Sequence, residues 1–192
     1  MTLPVSSSGV PYLPDANQAL SEKSRPRLSL PARTVLYVII FTALQSLYAT
    51  AQGTWVERLV IDRLTVGTAA RLIEALDPAI GVVADRSRLR APGSGINVLN
   101  GCEGTEVVFL LASAMLVAPM AWRWRLLGMA AGSVVVFALN QIRVVALFYA
   151  FRSDRALFET LHGIVAPLVL IALVGGFFVI WLECFRKGSA KA

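Results

Sequence analysis

At 192 residues, with 56% hydrophobic and 16% charged side chains and a mean hydropathy of +0.66, the chain is too apolar for a water-soluble globule and too weakly charged for a disordered one. The net charge of +6 (18 basic, 12 acidic residues) is modest; in so apolar a sequence it reads as membrane topology and attraction to the lipid bilayer, which excludes nucleic acid as the expected partner. Two cysteines, Cys102 and Cys184, make no disulfide framework, and with a single histidine they make no metal-ligand set. The expectation is an all-α integral membrane protein, with no cofactor and no metal.

Residues 1–33 hold no apolar run. They are rich in Pro and Ser (Pro4, Ser6, Ser7, Ser8, Pro11, Pro14) and then basic (Lys23, Arg25, Arg27, Arg33), which predicts a disordered basic tail beside a membrane surface. A first transmembrane helix is predicted over 34–52. Over 53–101 the texture changes. Trp55, Leu59, Leu64, Leu72, Ile73 and Leu76 recur at helical spacing among Glu57, Arg58, Asp62, Arg63, Arg71 and Glu74, the pattern of amphipathic interfacial helices. Past Pro78, two short extended pieces flank the basic run Arg86-Ser87-Arg88-Leu89-Arg90 and the turn Pro92-Gly93-Ser94-Gly95, which suggests a short β-hairpin before the second span.

Three further spans are predicted over 105–121, 126–151 and 163–181, so that residues 102–182 form a three-helix core and 183–192 a basic tail. Trp122-Arg123-Trp124-Arg125 is an aromatic and basic anchor at one interface. Four spans put both termini on one side. The density of Lys and Arg in the tails and in the 122–125 turn assigns that side to the cytoplasm. No internal repeat of the transporter kind is visible.

Alternation of direction brings the start of the second span, the end of the third and the start of the fourth to a single interface. Cys102 stands at the first of these and His162, the one histidine, at the last. Arg143 is predicted about 12 Å inside the third span, at 1.5 Å per residue, from where its side chain can snorkel outward. Each has an ordinary reading: the cysteine as a small apolar filler, the histidine as an interfacial polar residue, the arginine as half of an ion pair with Glu106. An arginine within a span still costs at least about 2.5–3.5 kcal/mol near the centre. Together on one side, the three point to cysteine chemistry.

A thiolate is the nucleophile, and apolar burial alone opposes its formation. The helix dipole of the second span, Arg143 and His162 can counter that burial, and backbone N–H groups at the helix start can stabilise an oxyanion. Glu103 and Glu106 act against a thiolate by like charge unless they are paired. Gly101 and Gly104 flank the cysteine, either to admit a substrate backbone or to form a turn. Asn140, one helical turn from Arg143, either fixes the guanidinium or makes a helix–helix contact.

Asn97-Val98-Leu99-Asn100-Gly101-Cys102-Glu103-Gly104, Asn140-Gln141-Ile142-Arg143 and His162-Gly163 resemble, in order and in position at span boundaries, the exosortase/archaeosortase family of membrane cysteine transpeptidases. The resemblance covers about residues 82–182. It implies a sortase-like enzyme of a bacterial inner membrane, with its active site facing away from the cytoplasm. Its substrates would be membrane-anchored proteins with a C-terminal sorting signal: a short motif often containing Pro-Glu-Pro, a transmembrane helix and a basic tail. On the same resemblance Cys102 is the nucleophile that forms a thioester, Arg143 its partner and His162 the third member. Asn140, Gly104 and Glu103 are the supporting candidates. Many members carry more spans than the four expected here. The competing classes are an accessory subunit of a secretion or exopolysaccharide complex and a small anion or proton transporter.

Overall fold

The computed structural model describes residues 29–99 and 101–189. Most of the tail expected over 1–33 lies outside these residues, but its last four are helical. Helix α1 (Leu30–Ala49) begins with a proline in its first turn, where the missing N–H leaves no bond unmade.

Three helices are long and apolar enough to cross a membrane: α1, α4 (Trp122–Ser153) and the run 155–187 of α5. Helix α5 joins Arg155–Thr160, a π-helical turn Leu161–Val165 and Ala166–Ser189. Of the four expected spans, three are helices of full length and the second is a shorter apolar helix. Helix α3 (Thr105–Val117) has only 13 residues, about 20 Å of rise against the roughly 30 Å of a hydrocarbon core. Pro119 is the reason. The residue before a proline is pushed out of the α region, and Ala118 is extended at φ −62°, ψ 143°. The chain then continues without helix to Trp122.

Helix α3 packs among α1, α4 and α5. Val107, Leu111 and Met115 meet Val136 of α4 and Leu170 and Val174 of α5 in one core. Gly132 of α4 lets this happen: a Cβ there would overlap the Leu111 side chain. At the far end the Trp181 indole N–H donates to the Trp124 carbonyl (3.1 Å) and Arg125 Nε donates to that of Met120 (3.2 Å). Outward-facing Val134, Leu168, Val169, Ile171, Leu173, Val179 and Ile180 make an apolar belt of the kind lipid covers.

A second core sits at the other end. Helix α2 (residues 55–76) joins Trp55–Arg58, a π-helical stretch Leu59–Gly67 and Thr68–Leu76. It packs on a sheet of β1 (Val83–Asp85), β2 (Arg88–Ala91) and β3 (Ser94–Asn97), antiparallel in the order β1-β2-β3. The expected hairpin is thus β2–β3, and the basic run 86–90 is a turn and the central strand rather than a loop. Strand parity explains it: Leu89 points inward, paired across to Ala84 and Ile96, while Arg88 and Arg90 point outward. This cap closes over the last ten residues of α4, whose Val144, Leu147 and Phe148 are buried with Ile73, Leu89 and Ile96.

Leu89 is 0% exposed. Leu89→Ala should therefore cost about 2–5 kcal/mol, read as a lower thermal midpoint of the solubilised chain. The α1–α3–α4–α5 core should survive, because Leu89 belongs to the cap alone.

Candidate active site

The two cores meet at a polar seam. Val136 of α4 belongs to one and Val144 to the other. Between them lie Asn140 (0% exposed), Gln141 (3%) and the half-buried Arg143. From Trp122 to Arg143 the helix rises about 32 Å at 1.5 Å per residue, close to the roughly 30 Å of a bilayer's hydrocarbon core. Val144, Leu147 and Phe148, which follow Arg143, face the cap, so the arginine stands at the boundary between the two cores.

Two of the seam residues tie the bundle to the cap and to the cysteine loop. Asn140 Nδ2 donates to the carbonyl of Cys102 at 3.1 Å, and Gln141 Nε2 donates to that of Leu64 in the π-helical stretch of α2 at 3.2 Å. Neither expected role of Asn140 is the bond formed: its amide donates neither to Arg143 nor to another helix but holds the cysteine loop. The loop is tightened by the Cys102 N–H, which donates to the Leu99 carbonyl at 2.9 Å. Gly104 has φ +84°, and a Cβ there would come within 3.0 Å of Asn140 Cγ. Turn and close approach both operate, but the group approached is Asn140.

Cys102 and His162 line one pocket of about 350 Å³, together with Ile96 and Asn97 at the end of β3, Val98 and Leu99 just after it, Val144 and Leu147 of α4, and Phe158 of α5. His162 occupies the π-helical turn of α5, a distortion frequent at functional sites. Its ring stacks on Phe158, with centroids 5.4 Å apart and planes 3° apart, and its Nδ1 is buried with no protein partner among the described residues. The same holds for Arg143 Nε. Arg143 forms no ion pair with Glu106: among the described residues the one salt bridge is Arg90–Asp85, at 2.9 Å.

Burial pushes the Cys102 thiol above its ordinary range. The Arg143 charge pulls it back down, Glu103 raises it again, a backbone hydrogen bond at Leu99 lowers it, and Glu106 raises it. Glu103 is 7% exposed and accepts from the Thr105 hydroxyl at 2.8 Å. It faces a second pocket of about 210 Å³ behind the cysteine loop, lined also by Gln45, Tyr48 and Gln52 at the end of α1 and by Glu106. Tyr48 and Phe158 are site residues that the sequence motifs do not include, and Gln141 is in a motif but without a role there. Phe158 carries a signal, standing four residues before His162 on one helix face; Tyr48 carries none.

Cys184 lies exposed near the end of α5, beside Phe185 and Arg186 and away from this pocket. Among the described residues no three His, Cys, Asp or Glu side chains gather to hold a metal ion. The arrangement offers a nucleophile and a base in one apolar cleft, with the charge of Arg143, outside its lining, acting on the nucleophile.

A family model described as transmembrane exosortase (Exosortase_EpsH) matches residues 17–181, most of the chain. The chain belongs to this family. The match extends beyond the three short motifs to include α1, the cap and the seam. No curated protein and no solved structure matches the chain. The membrane-spanning helices and the exosortase membership agree on a membrane protein of exosortase type.

Proposed function

We propose that the chain is a cysteine transpeptidase or protease that cleaves the C-terminal sorting signal from membrane-anchored proteins through a thioester on Cys102. The observation that carries this reading is the pocket shared by Cys102 and His162, with the Arg143 charge acting on the sulfur. The substrate's own helix would lie beside the bundle, so that anchoring supplies proximity. His162 takes the thiol proton. The thiolate attacks the carbonyl carbon, the C–N bond breaks, and the same proton goes to the leaving amine. An amine or a water then attacks the thioester and gives its proton to His162, the C–S bond breaks, and the acyl group leaves as an amide or an acid while the thiolate is freed.

Arg143 holds the thiolate in this scheme, because its charge is the largest influence opposing burial at Cys102. Asn140 and Gly104 are positioning residues that fix the loop, and Glu103 is a brake on thiolate formation. The seam would sit at the outer surface of a bacterial inner membrane, with both termini cytoplasmic. The test is genetic. Cells carrying Cys102→Ala should retain uncleaved membrane-anchored precursors, and full processing in such cells would refute the reading.

A further inference from the structure

β3 is the last strand of its sheet, and its Ile96 and Asn97 line the pocket that holds Cys102. Hydrogen-bond parity fixes which backbone groups are free. The Val98 N–H donates to the Ser87 carbonyl at 2.8 Å. Bonds in an antiparallel pair fall on alternate residues, so Ser94, Ile96 and Val98 point toward β2 while Gly95 and Asn97 point their N–H and C=O away from it. Among the described residues, neither Gly95 nor Asn97 makes a backbone bond outside the ladder. The Asn97 side chain is held back, its Oδ1 accepting from the Ser87 hydroxyl at 3.0 Å, which leaves the strand edge itself clear.

The same cleft is lined by Phe158 and His162 of α5, by Val144 and Leu147 of α4, and by Leu99 and Cys102, which follow β3 in the chain. A free edge of this kind is satisfied by an extended backbone and not by a helix, whose N–H and C=O groups are already paired. We propose that the outer edge of β3 binds the substrate as an added strand: an extended peptide pairs with the backbone of Asn97, sets small apolar side chains into the cleft, and so delivers its scissile carbonyl to Cys102. This rests on the cysteine chemistry proposed above and adds to it the binding mode and the conformation of the substrate.

The experiment uses the full chain in lipid vesicles and measures alkylation of Cys102 by mass spectrometry, with exposed Cys184 as an internal reference. The probes are iodoacetamide and an acetylated tripeptidyl chloromethyl ketone of alanine and valine, whose chloride the thiolate displaces. A third probe is the same ketone with its peptide nitrogens methylated. The iodoacetamide rate of each chain, unaltered, Asn97→Ala or Asn97→Pro, is the reference against which its ketone rate is read. Proline is tolerated where an edge N–H faces outward, but it removes the donor the peptide needs, so Asn97→Pro should slow the tripeptidyl ketone about tenfold or more, on the scale of one or two lost hydrogen bonds. Asn97→Ala should not. N-methylation of the reagent should slow it equally on the unaltered chain, which tests the edge without touching the fold. Equal rates for the methylated and unmethylated ketones would overturn the added-strand proposal and leave the cysteine chemistry standing. Failure of iodoacetamide to modify Cys102 in the native chain would contradict that chemistry and the strand proposal with it.

Discussion

Replacing Cys102 by alanine is expected to leave membrane-anchored precursors at full length while the altered chain accumulates normally. Accumulation should hold because the cysteine loop is fixed through its backbone: the Cys102 N–H donates to Leu99, and its carbonyl accepts from Asn140. Neither bond uses the sulfur. The side chain is only half-buried against the cap core, so its loss leaves a small and partly open gap. Turnover, by contrast, should fall on the order of 10⁶-fold, the scale seen when a hydrolase loses its nucleophile. Cys102→Ser should follow alanine closely, since a hydroxyl lacks the ready ionisation of a thiol. Immunoblots of precursor and of the chain itself, from the same membranes, separate lost chemistry from lost protein. A transporter or an accessory subunit would be indifferent to both substitutions.

The second large effect is a pair of opposed shifts. Arg143 lowers the Cys102 pKa and Glu103 raises it, against a background in which burial has already pushed it up. The thiolate exists above the pKa and alkylates; the thiol below it does not. Arg143→Gln removes the lowering influence, so the pH profile of iodoacetamide alkylation should move to higher pH and the rate at neutral pH should fall several-fold. Glu103→Gln removes a raising influence, so the profile should move to lower pH and the neutral rate should rise several-fold. The two shifts together locate the sulfur between the charges. Profiles that both move the same way, or that do not move, would mean that neither charge acts on Cys102. Only the alkylation rate need rise in Glu103→Gln, because Glu103 also anchors Thr105 and lines the pocket behind the loop.

Much of this architecture is written in residue patterns that local physics reads directly. The apolar runs mark the membrane helices, and the alternation of their directions brings Cys102 and His162 toward one end; the two do line one pocket. What escaped the pattern escaped for definite reasons. Val144, Leu147 and Phe148 look like lipid-facing residues because apolarity does not say whether lipid or another part of the chain covers them. For the same reason an apolar count does not show that Arg143 stands at a seam between two cores. The run Arg86–Arg90 looks like a solvated loop because its outward arginines mask the single inward Leu89 that makes it a strand. Pro119 is a readable breaker whose effect on α3 an apolar count hides. Asn140 was visible as a residue of interest, but its partner, a carbonyl 38 positions earlier in the chain, is fixed only by tertiary packing. Tyr48 and Gln141 likewise become site residues only when α1 and α2 are brought against the seam.

The claim on which the rest depends is that an acyl group passes through the sulfur of Cys102. Its most direct measurement is to incubate the full chain, in vesicles, with the membrane fraction of its host, quench in acid, and map adducts on Cys102 by mass spectrometry with and without neutral hydroxylamine. The account predicts a peptidyl adduct on Cys102 alone that hydroxylamine removes as a hydroxamate, that is absent from Cys184, and that does not form in Cys102→Ala. Precursors cleaved at the normal rate with Cys102 unmodified throughout, or cleaved equally by Cys102→Ala, would contradict it.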